Sequence, residues 1–295
     1  MTQRTLNLSG IYTALVTPFS KDSSRVDFDS LGQLLEFQIN AGIQGVVVCG
    51  STGEAATLTD DEYIAVVRFV RESTRGKLPC VAGISVSATT RAGEIARSVE
   101  ELGCDGVLLA TPPYNKPSQA GLLEHFRSVH RATSLPIIAY NIPGRSGVAI
   151  APATLGMLSR EGLVVGIKES SGSVDALADT MTTIRPDCQV VSGDDSLTLA
   201  VLAYGGVGAI SACANVLPQQ SVALCHAWHA GEPGEAKRIQ LEMLPKIRAL
   251  FVESNPVPVK TVLALRGIIS NATTRLPLVE LSTSSLEKVR SEFGV

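Results

Sequence analysis

Leu163-Val164-Val165-Gly166-Ile167-Lys168-Glu169-Ser170-Ser171-Gly172 is an apolar run that ends in an amine and then breaks into small polar residues. Its hydrophobicity is continuous rather than alternating, as expected of a strand covered on both faces. Strands of that kind belong to parallel sheets with helices packed on them. Lys168 stands at the carboxyl end of the run. Burial disfavours an ammonium, so a lysine placed there can hold a neutral amine able to attack a carbonyl. The other reading of the position is a lysine that leaves the strand and snorkels to solvent.

Working outward, the same signal recurs at 11–16, 46–49, 81–83, 107–110, 137–140, 189–192 and 208–211, which with 164–168 makes eight strands. Stretches of helical period fall between them: 31–41, opened by Asp29 as N-cap; a helix to about residue 74, begun by the capping box Thr59-Asp60-Asp61-Glu62; then 90–102, 120–131 and 153–158. Each connection is long enough for the crossover that parallel neighbours need. Eight such units ending near residue 230 read as an α/β protein, a (β/α)8 TIM barrel. The competing arrangement is an open doubly wound sheet, but no GxGxxG follows an early strand and no polar edge strand is present. Past Gly231 the strand signal stops, and 233–253, 256–267 and 285–293 read as helices. The expected organisation is a catalytic barrel over 1–230 and a C-terminal helical domain over 231–295.

Composition narrows the function. With 25 Lys+Arg against 28 Asp+Glu and no run of either sign, there is no nucleic-acid footprint. No apolar stretch is long enough for a signal peptide or a membrane span, so a soluble cytoplasmic protein is expected. Six scattered cysteines lack CxxC spacing, and four histidines form no HExxH, so no metal and no redox cofactor is expected.

In a barrel, chemistry comes from the carboxyl ends of the strands. After the second strand, Cys49-Gly50-Ser51-Thr52-Gly53-Glu54 sets two hydroxyls in a glycine turn. Its amides can cradle a carboxylate while a hydroxyl relays a proton, or the turn simply satisfies its own backbone. After the fourth, Thr111-Pro112-Pro113-Tyr114-Asn115-Lys116-Pro117 is a stiff loop carrying a phenol, aimed at a site or at an interface. The fifth ends Tyr140-Asn141-Ile142-Pro143-Gly144-Arg145-Ser146-Gly147. Tyr140 is either a core residue or a proton relay, and Arg145 either a surface charge or a bidentate clamp for a carboxylate. The seventh ends Ser192-Gly193-Asp194-Asp195, whose acids cap the next helix or orient the site, with Gly193 counted among the substrate-binding positions; Ile210 on the eighth is expected to be an apolar wall. A lysine, two tyrosines, a hydroxyl pair and an arginine on one rim point to an imine-forming aldolase or lyase.

On these motifs, with Asn255-Pro256-Val257-Pro258-Val259-Lys260, the sequence resembles the pyruvate-dependent class I aldolase superfamily that includes N-acetylneuraminate lyase and dihydrodipicolinate synthase, over essentially its whole length. The resemblance implies that Lys168 forms a Schiff base with pyruvate, that the Ser51 and Thr52 amides hold its carboxylate, and that Tyr140 relays protons with Ser51 and with Tyr114 from a neighbouring subunit. Arg145 matches a residue that binds aspartate semialdehyde. This arginine favours the synthase branch, with condensation to 4-hydroxy-tetrahydrodipicolinate; a neuraminate lyase or a 2-keto-3-deoxy sugar acid aldolase or dehydratase is the alternative. A homotetramer built as a dimer of dimers is also implied. Two departures stand out: serine replaces the synthases' usual threonine at Ser51, and Asp60, Ser87, Arg91 and Pro113 occupy the places where inhibited synthases bind lysine. The second departure implies weak or absent lysine inhibition, since Arg91 in place of a glutamate would repel the lysine ammonium.

Overall fold

The computed structural model describes residues 5–295. Its strands are β1 (Gly10–Ala14), β2 (Gly45–Val48), β3 (Cys80–Ile84), β4 (Gly106–Ala110), β5 (Ile137–Asn141), β6 (Gly166–Glu169), β7 (Gln189–Ser192) and β8 (Gly208–Ser211). They pair in parallel in chain order, and β8 returns to β1 to close the barrel. The helices are α1 (Phe28–Asn40), α2 (Asp60–Thr74), α3 (Thr89–Glu101), α4 (Gln119–Ala132), the single turn α5 (Pro143–Ser146), α6 (Pro152–Arg160), α7 (Val174–Thr183), α8 (Thr198–Ala203) and α9 (Pro218–His229). Beyond them come α10 (Pro233–Leu250), α11 (Val257–Leu265) and α12 (Thr283–Phe293), with α10 lying along α9 and α12 packed on α10 and α11.

The elements fall within a few residues of the sequence reading, which gives no bounds for α7, α8 or α9, and two of the shifted boundaries have a clear cause. Helix α1 starts earlier, because Asp27 rather than Asp29 caps it: the Asp27 carboxylate accepts from the Ser30 amide at 3.1 Å and also from the hydroxyls of Ser30 and Ser270. An acid held by a distant serine outcompetes an acid two residues on. Strand β6 starts at Gly166 rather than at residue 164, since its paired register with β5 begins at Ile138 opposite Gly166. The capping box at Thr59 and Glu62 forms as expected.

Period two along the strands divides the core into two sets. Val46, Val48, Ala82, Val107, Leu109, Ile137, Ala139, Ile167, Val190 and Ala209 pack with the helices. The alternate residues Tyr12, Val47, Val81, Leu108, Ile138, Tyr140, Val191 and Ile210 pack with one another inside the barrel, together with Leu6 and Leu8 from the preceding segment. Leu8 lies against Gly166, where a Cβ would stand 2.6 Å from its Cδ1, and its amide is held by Gln189 at 2.7 Å. The Tyr12 hydroxyl donates to the Asn7 carbonyl at 2.6 Å. These contacts close the amino-terminal floor, so the barrel interior is accessible from the carboxyl ends of the strands.

Candidate active site

Lys168 is the polar exception in the inner set. It is 5% exposed, and in the parallel register Tyr140 of β5 and Val191 of β7 stand on either side of it. Its Nζ lies 4.2 Å from the centroid of the Tyr140 ring, so the negative ring face meets the amine or ammonium directly. The stem needs room to arrive there. A Cβ on Gly193 would sit 2.6 Å from Lys168 Cε and 2.8 Å from Cγ, as well as on the Ser170 hydroxyl. Gly193, expected as a substrate-binding position, thus serves first as the gap through which the lysine passes.

The acids at the ends of β6 and β7 are committed to partners of their own. Asp195 is buried, accepts from the Ser211 hydroxyl and from the Cys213 amide at 3.0 Å, and ties the end of β7 to β8. Burial pushes its carboxyl above the ordinary range, against those hydrogen bonds and the charge of Lys168. Asp194 caps the following turn by accepting from the Ser196 amide at 3.1 Å, the simpler of its two expected roles. Glu169 accepts from Asn141 at 2.9 Å and from the Ser171 amide at 2.7 Å. Ile210 is fully buried in the inner apolar layer, paired with Tyr12 in the sheet register.

Above this layer a cavity of about 290 Å³ is lined by Ser51, Ala110, Thr111, Arg145, Asn255 and Leu278 among others. Ala110 pairs with Tyr140 in the sheet register and belongs to the same inner cluster, and the Thr111 hydroxyl donates to the Tyr140 carbonyl at 3.3 Å, so two residues of the cavity wall adjoin the tyrosine. The hydroxyl turn that borders it is bent hard: Cys49 (φ 52°) and Glu54 (φ 53°) are both left-handed without being glycine. Gly83 permits the bend, because a Cβ there would stand 2.7 Å from the Cys49 carbonyl oxygen.

The turn is held by Asn255 and Lys260, both within the 255–260 motif, and by Arg275, which no sequence motif marks. Lys260 of α11 is fully buried and forms an ion pair with Glu54, which is 1% exposed. The same ammonium donates to the Thr273 carbonyl at 2.9 Å and lies 4.2 Å over the Phe19 ring. Burial pushes Lys260 down to about 8, with Glu54 opposing the shift. Arg275 donates its amide to Glu54 at 3.1 Å and clamps Glu62 through two nitrogens at 2.6 Å. Asn255 donates to the Thr52 hydroxyl at 2.9 Å, while its carbonyl accepts from Arg145 at 3.0 Å.

Tyr114 is the expected site residue that its own chain does not bring in. It is 93% exposed and left-handed (φ 75°), while its neighbour Pro113 lines the cavity. The positions implied for lysine binding do gather: Asp60, Ser87 and Arg91 line a cavity of about 420 Å³, and Ser87 donates to the Pro113 carbonyl at 3.0 Å. Arg91 there is paired with Asp60 at 2.6 Å and Glu94 at 3.1 Å. The arginine's charge is balanced, so its effect on a second cation is to occupy the acid rather than to repel.

A profile described as the dihydrodipicolinate synthetase family matches residues 7–293. The chain belongs to that family. A 4-hydroxy-tetrahydrodipicolinate synthase of Endomicrobium trichonymphae is 42% identical over 291 residues, covering 97% of this chain and 99% of that one. Among solved structures, the 4-hydroxy-tetrahydrodipicolinate synthase of Methylacidiphilum fumariolicum SolV superposes with a TM-score of 0.95 at 40% identity, covering 98% and 95% of the two chains. A dihydrodipicolinate synthase from Thermotoga maritima gives 0.94 at 37% identity, covering 97% of each. For this dihydrodipicolinate synthetase family member, the buried lysine, its tyrosine and the hydroxyl turn occupy one end of one barrel.

Proposed function

We propose that the chain is a lyase that condenses pyruvate with L-aspartate 4-semialdehyde to give 4-hydroxy-tetrahydrodipicolinate. The observation that carries this reading is the Lys168 amine, buried on a strand end against the Tyr140 ring, at the same end of the barrel as the cavity that Ser51 and Arg145 line. The free amine adds to the pyruvate ketone, and water leaves as the imine forms. Loss of a methyl proton gives an enamine, whose carbon adds to the aldehyde. The amino group of the second substrate then attacks the imine carbon, closes the ring and returns Lys168.

In this scheme Tyr140 and Ser51 move protons at the imine, while the Ser51 and Thr52 turn holds the pyruvate carboxylate. Arg145 takes the carboxylate of the second substrate. Gly193 and Ile210 shape the floor on which the imine rests. Tyr114 completes the relay of a neighbouring copy in a homotetramer built from dimers; an aromatic so exposed on a left-handed backbone suits a group that is buried by another chain. The barrel over 1–230 supplies the chemistry, and 231–295 forms a helical domain that braces it. Six buried free thiols accord with a reducing cytoplasm, and among the described residues no helix is long and apolar enough to cross a membrane.

Turnover of pyruvate with aspartate semialdehyde, measured beside sialic acid cleavage, tests the reading. Condensation without cleavage is the expected result; cleavage without condensation moves the chain to the lyase branch. In the same assay millimolar lysine is expected to leave the rate nearly intact, because Asp60 is already held by Arg91. A rate halved by lysine counts against that expectation.

A further inference from the structure

Among the described residues, Asn255 is the one joined to both groups assigned to substrate carboxylates. It reaches Thr52 across 203 positions of sequence with its side chain and Arg145 across 110 with its main chain. We propose that Asn255 is a positioning residue that sets the direction of the Thr52 hydroxyl, so that its proton is given to the pyruvate carboxylate. The proposal rests on the reading of Lys168 as the pyruvate imine site.

A hydroxyl has one proton and two lone pairs, whereas an amide NH2 can only donate. Because Asn255 Nδ2 donates to Thr52 Oγ1 at 2.9 Å, a lone pair of the hydroxyl is taken and its proton is free for another acceptor. Thr52 is 5% exposed and Asn255 7%, so water competes little for that proton. Asn255 Oδ1 is itself buried and has no partner among the described residues. Turning the amide over would place this oxygen on Thr52 and leave the nitrogen unpaired instead. Either orientation leaves one buried atom without a bond, so the amide's own satisfaction does not select between them. What changes is Thr52: facing Oδ1, it would donate to the protein and have no proton for a ligand. The orientation in the structure is the one that keeps Thr52 a donor.

Asn255→Asp reverses the bond with little change of shape, since either carboxylate oxygen facing Thr52 accepts. The pyruvate concentration for half-maximal borohydride trapping at Lys168 is expected to rise about ten- to a hundredfold. The rate at saturating pyruvate and the KM for aspartate semialdehyde should change only a few-fold, because Arg145 is held by the main chain. Thr52→Val should raise the pyruvate requirement by itself, and adding Asn255→Asp to it should add little. An Asp variant with wild-type pyruvate dependence, or one that adds its full effect on the Val background, overturns the proposal. Should the Asp variant not fold, Asn255→Ala is expected to give a smaller rise that disappears on the Val background, and persistence there overturns it equally. Failure of the wild-type protein to trap pyruvate at all instead removes the imine reading.

Discussion

Lys168→Met is expected to abolish pyruvate-dependent borohydride trapping and to lower kcat/KM for the condensation by roughly a thousandfold or more, the scale on which a covalent nucleophile is lost. Methionine threads the gap at Gly193 with a similar unbranched stem and carries no charge into a position that is 5% exposed. Its melting temperature should therefore equal or exceed that of the wild type, which separates lost chemistry from lost fold. Intact-protein mass after reduction in the presence of pyruvate gives the decisive reading. A variant that still gains the mass of reduced pyruvate, or turns over near the wild-type rate, places the nucleophile elsewhere.

Glu54→Gln is expected to lower the free energy of unfolding by about 3–5 kcal/mol, the cost of leaving a buried charge without its partner. Both members of the pair with Lys260 are nearly inaccessible to water, so solvent does little to screen the loss. The penalty depends on pH with a definite sign. Burial already pushes Lys260 down to about 8 from 10.5, and removal of the carboxylate, which opposes that shift, lowers it further. In the variant the folded lysine then sheds its proton at a lower pH than in the wild type, and the unfolded chain binds more protons across that interval. The variant therefore regains stability as pH rises, and its deficit against wild type is larger at pH 6 than at pH 8.5. Urea unfolding at the two pH values measures this, and a deficit that is equal at both, or absent, removes the pair from the accounting. Combining Glu54→Gln with Lys260→Met should recover most of the stability. Recovery of pyruvate affinity is not expected, because the turn bearing Ser51 and Thr52 would lack its anchor.

The barrel was legible because its signal is local. Each strand is a short continuous apolar run, the first five crossovers carry a cap or a helical period, and Lys168 stands out as an amine at the end of one such run. The groups proposed for the rim stand out in the sequence for the same reason: Ser51 and Thr52 share a turn, and Tyr140 and Arg145 share a strand end and its loop. What holds these groups in place was not. Glu54 and Lys260 are 206 residues apart, Arg275 and Glu62 are 213 apart, and no periodicity marks charges that meet only after the chain has closed. Lys260 would be taken from its sequence for an ordinary helical lysine, yet it is among the most buried side chains. Asp27 displaced Asp29 as a cap through the Ser270 hydroxyl, a partner equally remote. The exposure of Tyr114 likewise depends on what surrounds a single copy and has no local signature.

The seal that Leu6, Leu8 and Tyr12 make at the foot of the barrel turns it into a one-ended vessel. Water expelled as the imine forms, the keto acid itself and the later aldehyde all share one doorway. On the proposed chemistry the keto acid must enter ahead of the aldehyde, and the product must leave by the way both came in.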